Sequence, residues 1–384
     1  MSVRAHIIHA VTTSVSVKLM RGQLAYLRSK GVDLTVLSSP GEELVAVATQ
    51  EGVSYKEIAM QREISPIRDL ISLCRLIVFF AQKKPLLTNV GTPKAGFLCG
   101  IAAWMTRVPN RIYTLRGLRL ETSTGLKRAI LLLTEKIACA VAHKVICVSP
   151  SLQARAVSEG LVPLQKTIVL AGGSSNGVDT SRFATANIEK HTDLLQRHNI
   201  PPDAQVIGFV GRLTKDKGIV ELVEAYQALK NEFPHVYLLL VGNYENGDPI
   251  PDEVKTVIKR DTGIILSGFV RDVVPYYTIM DVFVIPSYRE GFCNVAIEAA
   301  AAGKPVITTN ATGAVDTVLD GVTGYIVPVK SSEETRKAIR TLLCNPELGK
   351  EMGQAGRRRA LNEFASPVIW DALYQLYGEL INRR

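Results

Sequence analysis

The chain has 384 residues, of which 47% are apolar and 21% charged, the composition of an ordinary soluble globular protein but more residues than one hydrophobic core usually serves. Its six cysteines include no C-x-x-C pair, so neither a disulfide framework nor a zinc site is indicated, and a reducing compartment fits best. The net charge of +9 is uneven, since residues 1–180 hold 22 Lys and Arg against 11 Asp and Glu, and the remainder 23 against 25.

The basic excess of the first half has two open explanations. It either attracts an anionic lipid or substrate, or it is an ordinary solvated surface. Nucleic acid is disfavoured, because aromatic residues are only 6% of the chain and no nucleic-acid-binding module is recognisable. No apolar run reaches the roughly 18 to 20 residues of a membrane span, and the first run lacks the features of a signal peptide. We therefore expect a cytoplasmic protein, with peripheral contact at the inner face of the cell membrane as an option.

Short β-branched runs alternate with helical patterns in the first half of the chain. Strands are predicted at HIIHAV, DLTVLSS, LLTNV, RIYTL and KVICVS. This alternation predicts right-handed βαβ units on a parallel sheet. A Gly/Ser/Asn-rich loop at Ala171–Asp179 interrupts the pattern, so we place the end of a first Rossmann-like domain at residue 175.

The alternation then restarts and predicts a second doubly wound domain, residues 176–365. Its strands are predicted at QVIGFVG, VYLLLVG, IILSGF, DVFVIPS, PVITT and GYIVP. Apolar residues recur at helical spacing from Ser366 to Asn382. We expect the segment 366–384 to form a helix that packs back across the domain boundary.

One candidate site follows the first strand of the second domain, where the sequence reads FVGRLTKDKG from Phe209 to Gly218. Ligands of open α/β sheets bind at such carboxyl ends of strands. Arg212 and Lys217 place two cations beside a glycine that permits close backbone approach, which suits a diphosphate. An ordinary exposed cluster of cations is the competing explanation. Lys215 and Asp216 are interpreted as solvent-facing turn residues.

A second candidate site lies in IPSYREGFCNVAIEAAAAGKPVI, which runs from a strand through a glycine-containing turn into an alanine-rich helix. Glu290 falls in the turn and Glu298 about one turn into the helix. The two therefore bracket a helix N-terminus whose free N–H groups can hold phosphate. One carboxylate can bind sugar hydroxyls and the other ribose hydroxyls. Alternatively, both are ordinary acidic residues of a helix end.

Taken in order, these segments resemble the retaining glycosyltransferases of family 4, which have the GT-B fold of two Rossmann-like domains facing across a cleft. The resemblance covers nearly the whole chain. The matching residues are Gly211, Arg212 and Lys217 in the GR…K turn, Glu290 and Glu298 in the E-x7-E element, Leu240–Gly242, Gly268, Phe269 and Gly321–Tyr325.

The resemblance implies a donor site for a nucleotide diphosphate sugar in the second domain. Its catalytic residues would be Arg212 and Lys217, which hold the diphosphate, and Glu290, which contacts the donor sugar. Glu298 would bind the ribose. The donor-binding residues would further include Gly211, next to the diphosphate, Gly242 and Val270 near the base, and the backbone N–H groups of Phe292, Cys293, Asn294 and Val295.

The resemblance also implies that the first domain binds the acceptor, through the loop after its first strand and through TLRGLRLE, Thr114–Glu121. The candidate residues are Thr12, Thr13, Ser14, Arg116 and Gly117. Many relatives have a histidine where Arg116 precedes Gly117, so this chain replaces a possible hydrogen-bond acceptor by a permanent cation. Arg116 contacts an acceptor phosphate or the donor diphosphate, or else it is, like Arg119, a plain loop cation. His9, which ends the first strand, is interpreted as a packed residue.

The implied reaction retains the anomeric configuration, because the diphosphate leaves from the face that the acceptor attacks, and it needs no enzyme nucleophile. The sequence has no Asp-x-Asp element to hold a divalent ion. We predict turnover without a metal or cofactor, the nucleotide diphosphate sugar being a substrate. The expected donor is a UDP-linked hexose or N-acetylhexosamine. The expected acceptor is a lipid-pyrophosphate-linked or other saccharide of surface polysaccharide synthesis, such as O-antigen or capsule.

The helix pattern at Ile67–Lys84 has two interpretations. It is either an amphipathic contact with an anionic membrane or an ordinary helix that covers the sheet. The basic residues of the first domain that suit an anionic partner are Arg62, Arg68, Arg75, Lys83, Lys84, Arg107, Arg111, Arg116 and Arg119.

Two other functions remain as alternatives. A nucleotide-sugar 2-epimerase shares the two-domain fold and the donors, although the GR…K and E-x7-E elements argue against it. A non-catalytic glycosyltransferase-like scaffold would bind nucleotide sugar without turnover. A dehydrogenase is disfavoured, because neither first strand leads into G-x-G-x-x-G.

Overall fold

The computed structural model describes residues 5–61, 63, 65–183 and 188–382. Arg62, one of the basic residues named above, lies outside the described residues. The chain divides into two compact units. Unit 1 comprises Met1–Gly177 and Ser366–Arg384, and unit 2 comprises Val178–Ala365.

Unit 1 is a doubly wound α/β unit. Its strands are β1 (His6–Ala10), β2 (Asp33–Ser38), β3 (Ser54–Glu57), β4 (Leu87–Gly91), β5 (Asn110–Leu115), β6 (Lys144–Cys147) and β7 (Thr167–Ile168). The helices in its first segment, up to Gly177, are α1 (Gln23–Ser29), α2 (Glu42–Glu51), α3 (Pro66–Lys83), α4 (Pro93–Met105), α5 (Gly125–Val141) and α6 (Pro150–Ser158). Over the described residues of this unit, the strands form one parallel sheet of order β3-β2-β1-β4-β5-β6-β7.

Unit 2 repeats this plan. Its strands are β8 (Gln205–Val210), β9 (Val236–Val241), β10 (Ile264–Gly268), β11 (Val282–Ile285), β12 (Val306–Thr309) and β13 (Gly324–Val327). Its helices are α7 (Ile188–Arg197), α8 (Ile219–Lys230), α9 (Asp252–Arg260), α10 (Val274–Thr278), α11 (Asn294–Ala301), α12 (Ser332–Cys344) and α13 (Pro346–Glu363). The sheet is parallel and has the order β10-β9-β8-β11-β12-β13 in the described part of the unit.

Each sheet reverses its winding beside its first strand, because β1 pairs with β4 and β8 pairs with β11. Loops that leave such neighbouring strands diverge and open a crevice at the carboxyl edge. The two doubly wound parallel sheets confirm the predicted fold class. The edge strands β3 and β7 were not predicted, because β3 is an exposed polar run and β7 has only two residues.

The last helix, α14 (Ser366–Asn382), belongs to unit 1. Its residues Leu373, Leu376 and Tyr377 are buried in the apolar cluster that contains Ile7 of β1 and Val36 of β2. The apolar residues whose helical spacing predicted α14 therefore form the stripe that the helix buries.

Helix α3 has both an inner and an outer apolar surface. Leu76 and Phe80 are buried in the cluster that covers one face of the unit 1 sheet. Ile67 and Leu70 are 77% and 62% exposed. Among the described residues, no helix combines the length and apolar character needed to cross a membrane.

The core of unit 1 contains a carboxyl group, and its burial makes stability depend on pH. Tyr113 donates a hydrogen bond of 2.8 Å to Glu135, and burial raises the pKa of Glu135 from 4.5 to about 7. The folded state therefore keeps a proton that the unfolded state loses between pH 4.5 and pH 7. Stability falls as the pH rises through this window, and the loss is complete above pH 7.

We expect Glu135→Gln to remove this loss, since the amide oxygen can still accept from Tyr113. The variant should be more stable than the wild type by about 1–3 kcal/mol at pH 8 and nearly unchanged in stability at pH 4.5. Urea unfolding at the two pH values measures the difference. An equal change at both would contradict the assignment of the proton to Glu135.

Candidate active site

The two segments singled out in unit 2 meet at adjacent strands. β8 ends at Val210, inside the FVGRLTKDKG segment, β11 ends before the PSYREGF loop, and the strands pair through Gly208 and Phe283. Side chains 73 residues apart in the chain are thereby brought into contact at the carboxyl edge. This is the topological switch point, where open α/β sheets bind ligands.

Lys217 and Glu290 form an ion pair at this point. Lys217 Nζ contacts Glu290 Oε1, and the Ser287 hydroxyl donates to the same oxygen at 2.9 Å. The two charged side chains are only 15% and 14% exposed. Because each charged group has the other as its partner, the cost of shielding both from water is offset. The site therefore holds a fixed cation next to a fixed hydrogen-bond acceptor.

Arg212 is placed apart from this pair. Its exposed guanidinium forms an ion pair with Glu245, in the loop that follows β9. Glu245 was missed in the sequence, although its place beyond the carboxyl end of a strand is the same signal that located Arg212. Ion pairs of this exposure are weakly held. Arg212 can therefore exchange Glu245 for an anionic ligand.

Asp216 does not face solvent, which corrects one prediction. It is half-buried and accepts a hydrogen bond of 2.6 Å from the Thr214 hydroxyl. Burial acts to raise the pKa of Asp216, but the Thr214 hydrogen bond and the charges of Lys217 and Arg289 lower it by more. Asp216 is thus an ionised group that braces the turn, a role for which the sequence of a Lys/Asp-rich turn gives no signal.

Three neighbouring strands of unit 2 end at or before a glycine. The Gly211 N–H donates to the Val241 carbonyl at 2.9 Å, and Gly242 bridges to Gly268. Gly242 has a φ of 144°, and a Cβ there would lie 1.8 Å from the Gly211 carbonyl oxygen. Peptide groups rather than side chains therefore line this part of the edge. Val270, just beyond it, is half-buried against the unit 2 core.

Helix α11 begins immediately after the PSYREGF loop. Its N-cap residue, Cys293, is buried, and burial raises the pKa of the thiol, which makes it a neutral group. The rings of Phe292 and Phe364 pack with centroids 5.3 Å apart. Asn294 and Val295, the first two residues of the helix, are half-buried. Cysteine is not a capping residue, so this N-terminus suits an anion.

Glu298 lies inside α11 and contacts Tyr277 of α10. The Tyr277 hydroxyl donates to Glu298 Oε2 at 2.9 Å and lies 3.3 Å from the Val295 carbonyl oxygen. Burial raises the pKa of Glu298, and the Tyr277 hydrogen bond and the charge of Arg182 offset this only in part. Tyr277 was missed in the sequence, because adjacent tyrosines in a short helix do not reveal which ring is turned inward.

In unit 1, hydroxyl groups hold the loop after β1. The hydroxyls of Thr12 and Thr92 are hydrogen-bonded at 2.7 Å, and Thr12 Oγ1 also accepts from the Ala95 N–H at 3.1 Å. The Thr13 hydroxyl is bonded within the loop, and the half-buried Ser14 begins a 3-10 turn. The loop is thereby tied to the first turn of α4 across the switch point of the unit 1 sheet.

Arg116 follows β5 and is not a plain loop cation. Its guanidinium lies over Gly91, where a Cβ would be 2.7 Å from Nε. Burial lowers the pKa of Arg116 to about 10, so the group remains charged at neutral pH. Gly117, the next residue, has a φ of 137°. Arg119, by contrast, is exposed and fits the loop-cation interpretation.

His9 is a packed residue, as the sequence interpretation favoured. Its Nε2 lies 2.9 Å from the Tyr377 hydroxyl and its Nδ1 3.4 Å from the Met20 sulfur. Burial and then the charge of Arg116 lower the pKa of His9 to about 3, so its imidazole is neutral at physiological pH. Asn89 donates to the same Tyr377 hydroxyl at 2.7 Å. A residue of α14 thus completes a buried polar network of unit 1.

Comparison with known proteins gives both units the same assignment. A family model described as glycosyl transferases group 1 matches residues 191–359, and a glycosyl transferase 4-like domain matches residues 17–173. The chain is 40% identical over 375 residues to the capsular polysaccharide biosynthesis glycosyltransferase CapM of Staphylococcus aureus, and the match covers 98% of this chain and 97% of CapM.

More distant relatives agree with this assignment. The chain is 26% identical to the UDP-Gal:alpha-D-GlcNAc-diphosphoundecaprenol alpha-1,3-galactosyltransferase of Escherichia coli, over 83% of this chain and 82% of that one. The crystal structure of Anabaena Alr3699/HepE in complex with UDP matches with a TM-score of 0.81 at 20% identity, covering 98% of this chain and 100% of that one. That likeness confirms the predicted GT-B fold. The chain belongs to the GT4-type family of bacterial polysaccharide glycosyltransferases, and it is a glycosyltransferase.

Proposed function

We propose that this enzyme moves a hexose or N-acetylhexosamine from a UDP-sugar to a lipid-pyrophosphate-linked saccharide, with retention of configuration and without a metal ion, in the assembly of a surface polysaccharide such as O-antigen or capsule. The observation that carries the proposal is the Lys217–Glu290 ion pair at the switch point of unit 2. A departing diphosphate needs a cation, and a sugar hydroxyl needs an acceptor.

The relatives support the proposed substrates. CapM is named for capsular polysaccharide biosynthesis, the Escherichia coli relative for a UDP-sugar donor and a diphosphoundecaprenol-linked acceptor, and HepE was crystallised with UDP.

The diphosphate would be held by Lys217, Arg212 and the N-terminus of α11. An ammonium group has three donors, so Lys217 can keep its contact with Glu290 while it donates to a phosphate oxygen. Arg212 would leave the exposed carboxylate of Glu245 at little cost. Negative charge on the diphosphate grows as the bond to the sugar breaks. Fixed positive groups therefore stabilise the transition state more than the bound donor.

The donor sugar, the ribose and the base would each meet a different part of unit 2. Glu290 would accept hydrogen bonds from sugar hydroxyls. Its Oε1 already has Lys217 and Ser287 as partners, which suits a positioning carboxylate rather than a free nucleophile and favours departure and attack on one face. Glu298 would bind the ribose. The base would lie against the peptide groups at Gly242 and Val270.

Metal-independent turnover is supported by the side chains available. The positive charge that a divalent ion would supply is offered by Lys217 and Arg212 instead.

The test is a mass-spectrometric screen of the purified enzyme with a panel of nucleotide sugars and lipid-pyrophosphate saccharides, with and without EDTA. We expect transfer to continue in the presence of EDTA. We also expect NMR to show that a donor with an axial bond at its anomeric carbon gives a product with an axial linkage. Transfer abolished by EDTA and restored by a divalent ion would exclude the metal-independent part. Conversion of a donor into its epimer would favour the 2-epimerase, and donor binding without turnover the scaffold.

We expect Glu298→Gln to weaken donor binding rather than to slow the chemical step. Ribose contacts are equally strong in the bound donor and in the transition state, so the donor KM should rise about tenfold with kcat changed less than about threefold. Initial rates at varied donor concentration measure both. Tyr277→Phe, which removes the hydroxyl that orients Glu298, should give a smaller rise of the same kind. A lower kcat at unchanged KM would contradict the ribose assignment.

Peripheral binding of unit 1 to an anionic membrane is also proposed. The outer side of α3 combines exposed Ile67, Leu70 and Ile71 with the exposed Arg68 and Arg75, the combination found in interfacial helices.

The wild type should sediment with vesicles that contain anionic phosphatidylglycerol, and less so with neutral ones. The double change Leu70→Asp and Ile71→Asp should abolish this. Leu164→Asp, at a residue 58% exposed elsewhere in unit 1, is the control. Equal sedimentation of the double variant and of Leu164→Asp would contradict the proposed membrane contact.

A further inference from the structure

The guanidinium of Arg116 lies at the switch point of unit 1. Arg116 comes directly after β5, whose residue Thr114 is paired with Gly91 at the end of β4. Its side chain folds over Gly91, with Nε 2.7 Å and Nη2 3.0 Å from the position of a Cβ on that glycine. A residue with a side chain could not occupy position 91 without displacing the guanidinium. The backbone of unit 1 thus makes room for this one cation.

The guanidinium has no counter-charge among the described residues of the chain. Its Nε and Nη1 are shielded from solvent, and neither has a hydrogen-bond partner within the described ranges. Burial lowers its pKa to about 10, and the groups that oppose this are the phenols of Tyr377 and Tyr113 rather than a carboxylate. A buried cation without a partner is strongly unfavourable. Native proteins retain such a group where a ligand completes it.

The surroundings of Arg116 favour an anion. Gly91 leads through Thr92 into the N-terminus of α4, a helix of 13 residues whose positive end lies beside the guanidinium. Thr92 has a φ of 113°, which is strained for a residue other than glycine. The neighbouring His9 is neutral and hydrogen-bonded to Tyr377, so it does not neutralise an anion or compete for it. Arg116 as a whole is only half-buried, and its Nε and Nη1 have no hydrogen-bond partner among the described residues, so the side chain can turn toward a ligand.

We propose that Arg116 and the N-terminus of α4 bind a phosphate of the acceptor's pyrophosphate group. The inference rests on the proposed function, in which the acceptor carries a pyrophosphate, and it assigns the residues that recognise that group. Arginine suits the task, because its planar set of five donors matches phosphate oxygens and its charge does not titrate at neutral pH. The donor's own diphosphate has the same chemistry, so the experiment must distinguish the two sources.

Binding without turnover is the first measurement. Inorganic pyrophosphate is titrated calorimetrically into the full chain in the presence of saturating UDP, which fills the donor site. The wild type should bind it, Arg116→Gln should bind it at least about tenfold more weakly, and Arg21→Gln, at an exposed arginine of the same unit, should bind like the wild type. Equal affinity of Arg116→Gln and wild type, or loss of binding whenever UDP is present, would overturn the inference.

Kinetics supply the second measurement. In Arg116→Gln, the KM for a lipid-pyrophosphate saccharide should rise at least about tenfold, while the KM for the same saccharide without pyrophosphate stays unchanged. A rise in the donor KM alone would assign Arg116 to the donor diphosphate and overturn the inference. Failure of every donor and acceptor to react would refute the proposed function instead, and the pyrophosphate titration would still decide the role of Arg116.

Stability separates a ligand-binding role from a structural one. Because the guanidinium has no counter-charge among the residues that the structure describes, Arg116→Met should leave the melting temperature without ligand unchanged or raise it, while the stabilisation by pyrophosphate is lost. A lower melting temperature for Arg116→Met, together with unchanged stabilisation by pyrophosphate, would show that Arg116 serves the fold.

Discussion

Replacing Lys217 with alanine is expected to lower kcat by about 100- to 1,000-fold, the usual effect of removing one fixed group that stabilises a developing charge. Lys217 is 15% exposed and next to Glu290, so its charge acts in a site where little water can replace it. The donor KM should change far less than kcat, because the charge on the leaving diphosphate is greatest in the transition state. Steady-state kinetics with the preferred donor measure both constants.

The matched control is Lys215→Ala. Lys215 lies on the same 3-10 turn as Lys217 but is exposed, as the sequence interpretation expected. Its loss should leave kcat within about twofold of the wild type, because an exposed charge is screened by solvent. Lys217→Ala with a normal melting curve and a normal kcat would remove Lys217 from the catalytic role. Similar losses in the two variants would point to the net charge of the turn instead.

Gly242→Ala is expected to cause a large loss of stability. Gly242 has a φ of 144°, and a methyl group there would lie 1.8 Å from the carbonyl oxygen of Gly211. The ends of β8 and β9 would have to separate, so we expect a loss of at least about 3 kcal/mol in the free energy of unfolding. Donor binding should fall as well, since the same peptide groups are proposed to meet the base. Urea unfolding and UDP titration measure the two effects.

The control for backbone strain is Gly303→Ala. Gly303 has a φ of 75°, but a Cβ there would have no atom within 4 Å. It should therefore show only the strain of a left-handed alanine, about 1 kcal/mol, and normal UDP binding. If both variants lost equal stability, the close contact between Gly211 and Gly242 would not be the cause.

The repeating features of the fold could be predicted from the sequence because they are local. Each buried strand of a parallel sheet is a short apolar run, and each covering helix has its own apolar spacing. The carboxyl ends of β8 and β11 could be recognised as sites for the same reason, since strand, glycine turn and helix follow one another within a few residues. The exposed edge strand β3 lacks an apolar run, and its pairing with β2 decides its conformation.

The partners of the site residues could not be predicted, because they come from distant parts of the chain. Arg212 gives no indication of Glu245, nor Glu298 of Tyr277, since only strand order and helix rotation bring these side chains together. Burial is equally hidden. The sequence around Arg116 is that of an exposed basic loop, and only the packing over Gly91 shows that the charge is enclosed.

The position of α14 in unit 1 has a consequence for the order in which the enzyme is made. Unit 2 is inserted in the chain of unit 1, and its two ends meet where the Val178 N–H donates to the Phe364 carbonyl at 2.8 Å. Domains usually fold as units while synthesis proceeds. Here unit 2 can fold on the ribosome before unit 1. The core of unit 1 is complete only after Leu373 and Tyr377 have been synthesised. A chain whose synthesis ends before α14 would therefore have a folded unit 2 and an incompletely folded unit 1. Unit 1 would then expose apolar surface to chaperones and proteases.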